Sequence, residues 1–149
     1  MHNITSNIGI AQVLMPQKIT SAALDSGNID MLGAEALAVA VLVGTIDDTL
    51  GSGVHVTLKI EHADDDGSGA PAAYAACTDA DVLNATGLAA GAFALINASD
   101  KDELRYVIDY RGGKRFVKVT ATPAGLTNGG AIAMLALKGN FSQKPVIND

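Results

Sequence analysis

The chain has no tryptophan, one cysteine and four prolines among its 149 residues, and aromatic side chains make up only 4% of it. A lone Cys77 excludes a disulfide framework within the chain and suits synthesis in a reducing compartment. The scarcity of aromatics removes the platforms on which single-stranded nucleic acids stack. Basic residues are also few, 10 against 16 acids, and the resulting charge of −6 argues against general attraction to nucleic acid or to an anionic membrane. The longest strongly apolar run, Ala36 to Val43, is about half the ~20 residues a spanning helix requires. The first residues, MHNITSNIGIAQVLMPQK, show no cationic start followed by an apolar stretch, so no secretory signal is expected. Without a secretion route, the glycosylation-like triplets at Asn3, Asn84 and Asn97 carry no weight.

What the chain does have is apolar residues, 48% of the total, enough for one ordinary core without a disulfide or metal. Where their period is clear it is two, the signature of strands. In Val54–His62, Val54, Val56, Leu58 and Ile60 point one way while His55, Thr57, Lys59 and Glu61 point the other. A second signal spans Leu104–Tyr110 and Arg115–Ala121 around Gly112-Gly113. A Gly-Gly pair tolerates the positive φ angles of a type I′ turn, so these runs are expected to form a hairpin. Its register would pair Ile108 with Val117, Tyr106 with Val119 and Leu104 with Ala121 on one apolar face. Further strands are expected near 10–14, 18–24, 28–32, 37–43, 92–96 and 131–138, loops at 44–53, 63–71 and 123–130, and a short helical turn within 79–91. Many short strands and no long amphipathic helix indicate an all-β protein, an antiparallel, jelly-roll-like β-sandwich in a single domain. The expected organisation is an N-terminal arm or edge strand over 1–17, a sandwich over 18–140 and a loose tail over 141–149.

Candidate sites are few. Asp64, Asp66 and Ser68, followed by Gly69, copy the opening of a calcium loop, but the twelfth position is Ala75 where a bidentate Glu belongs, and no helices flank the segment. A solvated turn is the favoured reading, and no metal or cofactor is expected. His55 and His62 are separated by an odd number of residues, so in a regular strand they project from opposite faces and cannot share an ion. Cys77 lies in an alanine-rich stretch with no active-site signature, and the phosphate-binding, nucleophile-elbow and dinucleotide motifs are all missing, so no enzyme is expected.

Two strands, over 37–43 and 131–137, are apolar on both faces, which leaves surface for a loop or a neighbouring chain to cover. Contacts with sister subunits or a capsid are therefore expected at Leu37, Val39, Val41, Ile132 and Met134. Charge is uneven: residues 1–104 hold 14 acids and 3 bases, residues 105–148 hold 7 bases and 1 acid. Arg111, Lys114 and Arg115 crowd the expected hairpin tip, where they either grip an acidic partner or stand as a solvated, aggregation-deterring tip.

Three stretches carry a resemblance: Asn28–Leu32 leading through 37–43 to Gly44-Thr45-Ile46, Val56–Gly67, and Tyr110–Val119. In that order and spacing, over roughly residues 18–139, the chain resembles small capsid-associated structural proteins, of head-spike-base or decoration type, from tailed bacteriophages, prophages and gene transfer agents. The resemblance implies a jelly-roll-like virion component, made in the bacterial host cytoplasm and placed on the capsid surface. It would assemble as a homo-oligomer against the major capsid protein or other head proteins, without nucleic-acid or membrane partners. It supplies no catalytic residues. The alternative on the same fold is a non-catalytic module for a cell-surface glycan, which would have to work with only Tyr74, Tyr106 and Tyr110 as amphipathic platforms.

Overall fold

Two-residue alternation sets the burial of the central strands in the computed structural model, which describes residues 4–143. In chain order the strands are β1 (Gly9–Ile19), β2 (Leu24–Asp25), β3 (Ile29–Asp30), β4 (Ala34–Ile46), β5 (His55–Ala63), β6 (Ala75–Ala76), β7 (Ala92–Ile96), β8 (Arg105–Tyr110), β9 (Phe116–Ala124) and β10 (Gly130–Phe141), with a 3₁₀ turn at Asp79–Asp81. All pairings are antiparallel. One sheet has the order β1-β10-β4-β8, and the other has β9 and β5 at its centre, with β2 and β3 along one edge and β6 and β7 along the other. The chain crosses between the sheets after β1, β3, β4, β7, β8 and β9, which is the jelly-roll arrangement of two facing sheets. Val39, Val41, Leu58, Ile60, Ile108, Val117, Val119 and Met134 fill the space between them, each with no measurable exposure.

The expected hairpin does not form. β8 pairs with β4 and β9 pairs with β5, so the two strands belong to opposite sheets and residues 111–115 carry the chain across the end of the sandwich. The apolar faces of Ile108 and Tyr110 on one strand and Val117, Val119 and Ala121 on the other meet the same core from opposite sides. Gly112 and Gly113 are not among the positive-φ residues, so the type I′ geometry is absent. Gly112 serves close approach instead, because a Cβ there would lie 2.4 Å from the Tyr110 hydroxyl.

The assignment of Leu37, Val39, Val41, Ile132 and Met134 to an intermolecular contact is corrected as well. All five face inward at 3% exposure or less and are covered by their own chain. The outward face of the same strands carries Ala36, Ala38, Ala40 and Leu42 on β4 and Ala131, Ala133, Leu135 and Leu137 on β10. Strands also reach further than alternation indicated: Gly44–Ile46 and Pro123-Ala124 are strand, not loop, and β10 runs through Phe141, where the tail was expected to begin. Residues 144–149 of that tail lie outside the described residues.

Candidate functional site

Three features stand out, and the first unites two separately expected sites. Arg115, at the end of the crossing segment, places Nε 3.0 Å from Asp30 Oδ1 and Nη2 2.9 Å from Asp30 Oδ2, a two-point fork on one carboxylate. Its Nη1 bonds Asp65, and Lys114 Nζ bonds Asp64. The basic tip and the acidic loop are thus each other's partners. Arg111 is also held within the chain, its Nε donating to Ala80 O at 2.8 Å. The Asp30 carboxyl is held below its ordinary value chiefly by the Arg115 guanidinium, which is in turn pushed up by Asp30. An open grip on an acidic partner by Arg111, Lys114 and Arg115 is therefore not what the structure presents.

The loop's carboxylates turn to its own backbone. Asp65 Oδ1 accepts from Gly67 N at 2.7 Å and Gly69 N at 3.0 Å, and these amides hold its carboxyl below the usual range. Asp66 Oδ1 accepts from both Ser68 N and Ser68 Oγ, so two of the three candidate calcium ligands bond each other. Gly67 and Gly69 take φ of 92° and 90°, the turn conformation for which glycine is suited.

The second feature is polar and interior. His62 follows Ile60 on the inward side of β5 and is 8% exposed. Its Nδ1 lies 3.0 Å from Tyr110 Oη, with the two rings edge to face. Cys77, just after β6, and Asp81, in the 3₁₀ turn, bring one ligating atom each to within 4.8 Å of one another and of a His62 ring nitrogen. Cys77 is 2% exposed, and burial pushes its thiol up to about 12. Tyr110 is pushed up to about 12 by the same cause. Asp81 goes the other way, lowered chiefly by the Thr78 amide bonded to its Oδ2 at 2.8 Å. A thiol so raised and so enclosed is the reverse of an activated nucleophile, whatever its neighbours. His55, by contrast, stands on the other side of β5 with Nδ1 3.1 Å from Ser52 O, so the two histidines are apart as their spacing requires.

The third feature is the outer face of the β1-β10-β4-β8 sheet. Register aligns Leu137, Ala38 and Asp109 in one row across β10, β4 and β8, then Leu135, Ala40 and Val107, then Ala133, Leu42 and Arg105. Leu42 is 41% exposed and Val107 40%. The backbone edge beside them is closed: the Asn84 side chain donates to Val107 O at 3.0 Å and accepts from Asp109 N at 2.9 Å, as a neighbouring strand would. What remains open on β8 is its face. The tyrosines are engaged elsewhere, Tyr74 Oη donating to Asn28 Oδ1, Tyr106 Oη to Lys101 O, and Tyr110 lying in the core.

Sequence alone pointed to surplus apolar surface on β4 and β10 but selected the wrong face. It missed the interior group, although the alternation of β5 already placed His62 on the inward side.

No family model and no curated protein matches this sequence. Among solved structures, the chain is similar to one from the disulfide-linked pili that form Bacillus endospore appendages, at 13% identity and a TM-score of 0.39, covering 93% of this chain and 94% of that one. It is also similar to a chain of infectious bursal disease virus, Gx strain, at 12% identity and a TM-score of 0.35. That alignment covers 93% of this chain and only 33% of the viral one.

Proposed function

We propose that this chain is a non-catalytic structural protein of a tailed-phage head, attached to the capsid surface as a decoration or spike-base component, and that it associates with further copies of itself through the outer face of the β1-β10-β4-β8 sheet. The observation that carries the reading is the apolar cluster of Leu42, Val107, Leu135 and Leu137 over an alanine floor, with Leu42 and Val107 exposed and Leu135 and Leu137 half-buried. The ends of β8 favour a second copy as the occupant. Arg105, Val107 and Asp109 project from that face, and neither charged residue has an ion-pair partner among the described residues. A two-fold axis through Val107 sets the strand antiparallel to its mate and brings each Arg105 against the other Asp109, a self-complementary arrangement.

The size of the face sets the strength. Four strands spaced ~4.8 Å apart and about six residues long cover on the order of 400 Å², half of the ~800 Å² per partner in a standard stable interface. Such a contact is weak between free molecules and effective when copies are held side by side on a shell. The resemblance of residues 18–139 to capsid-associated proteins supports that setting. Sedimentation over a rising concentration series is expected to show reversible association that Val107→Lys abolishes, and purified capsids are expected to retain the wild type. A chain monomeric at every concentration and not retained by capsids would overturn the proposal.

A further inference from the structure

We infer that His62, Cys77 and Asp81 form a binding site for a divalent late transition ion, zinc foremost, at the interior end of the sandwich. Among the described residues these three are the group whose ligating atoms converge, all within 4.8 Å of one another. Ligands on a tetrahedral zinc, with bonds of ~2.0–2.3 Å, sit about 3.5 Å apart, so small side-chain rotations bring this group to coordinating distance. One imidazole, one thiol and one carboxylate is a donor set for zinc and its neighbours, not for calcium or magnesium, which take oxygen alone. Three protein ligands leave the fourth position for a water molecule.

The surroundings support the same assignment. Tyr110 Oη, 3.0 Å from His62 Nδ1, holds the imidazole ring, the kind of outer partner that orients metal-bound histidines. Asp81 is fixed by the amide and hydroxyl of Thr78, each 2.8 Å from its Oδ2. Cys77 is fixed through its backbone, its N–H donating to Ile60 O at 3.1 Å. All three ligands therefore stand on restrained backbone. Charge closes too: as the metal–sulfur bond forms, the Cys77 proton leaves to solvent, and a dication with one thiolate, one carboxylate and one neutral imidazole sums to zero. A neutral complex, enclosed at Cys77 and His62 and half-buried at Asp81, avoids the cost of an uncompensated buried charge. Neither the presence of the ion nor its chemistry bears on the outer-face contact, so the two proposals stand or fall separately.

The test uses the full chain, stripped with a chelator and then titrated with cobalt(II) alone and with zinc(II) alone. Cobalt is expected to give a thiolate-to-metal charge-transfer band saturating at one ion per chain, and zinc to bleach it. At about a hundredfold excess over its dissociation constant, zinc should raise the melting temperature by roughly 5–10 °C. Cys77→Ser should remove the band, and His62→Gln and Asp81→Asn should each weaken zinc binding at least tenfold. The wild type alone decides if a variant fails to fold. A wild-type chain with no charge-transfer band and a melt that zinc leaves unchanged overturns the site, and so does a band that persists undiminished in folded His62→Gln and Asp81→Asn.

Discussion

Replacing Tyr110 by phenylalanine takes one oxygen out of the interior and leaves the ring packing as it was. That oxygen lies 3.0 Å from His62 Nδ1 and accepts the Lys114 N–H at 3.1 Å, in surroundings where Tyr110 is 3% and His62 8% exposed. The Lys114 amide belongs to the half-buried crossing segment, where water can replace the lost partner, so its share is at the low end, about 0.5 kcal/mol. The His62 nitrogen is enclosed, and a buried polar group left without a partner costs ~1–3 kcal/mol. Together these predict a loss of about 2–3 kcal/mol, a large part of the ~5–15 kcal/mol that holds a domain of this size. The melting temperature should fall by roughly 5–10 °C. With no tryptophan in the chain, urea unfolding is best followed by far-ultraviolet circular dichroism, with the denaturant slope unchanged if only stability has moved. The companion His62→Leu variant closes a thermodynamic cycle, in which the double variant should lose less than the sum of the singles by about 1–2 kcal/mol. A Tyr110→Phe effect below about 0.5 kcal/mol, or strict additivity in the cycle, would refute the bond as the reason for the enclosed pair.

Alkaline pH tests the same region: Cys77 and Tyr110 are raised from 9.0 and 10.0 to about 12, so their protonated forms favour the fold below pH 9. With chelator present, that stability should be lost as pH rises from about 9 to 12, by up to ~1.4 kcal/mol per pH unit for each group, and Cys77→Ala should postpone the onset to about pH 10. Equal slopes between pH 9 and 10 in both chains would count against it. At the acid end Asp30, Asp48, Asp65, Asp66, Asp79 and Asp81 are all lowered from 3.8, each chiefly by hydrogen bonds, that of Asp30 coming from Arg115, so stability should hold down to about pH 4 and fall only as pH drops below 3.8. Gly129→Ala is expected to lose more than about 3 kcal/mol in urea unfolding, because φ is +72° and the new Cβ would meet Ile19 O at 1.9 Å. Arg115→Lys keeps the charge but not the two-point fork on Asp30, and should speed proteolytic cleavage within residues 64–69; an unchanged rate would argue that the loop holds itself.

Much of the strand content was legible because alternation is local. Val56, Leu58 and Ile60 lie inward on β5, and Ala92–Ile96 appears as β7 over the expected residues. Edges were less legible: β4 and β10 run on where side chains weaken the pattern, since their ladder of 130–141 against 34–46 is made by backbone atoms that any residue supplies. The Gly112-Gly113 pair misled because two glycines permit a tight turn without requiring one. Here it is the missing side chain of Gly112, not a left-handed backbone, that lets the chain pass over the Tyr110 ring.

Local spacing determined by itself that this chain is all-β, that β4 and β10 carry apolar side chains on both faces, and that its histidines on β5 point apart. Which face meets the core, which sheet each strand joins, and which charges find each other were decided only in three dimensions. Arg115 lies 85 residues from Asp30, and His62 lies 48 from Tyr110. Such partners are selected by burying two apolar sheets against each other, a condition imposed by the whole chain at once and by no segment of it.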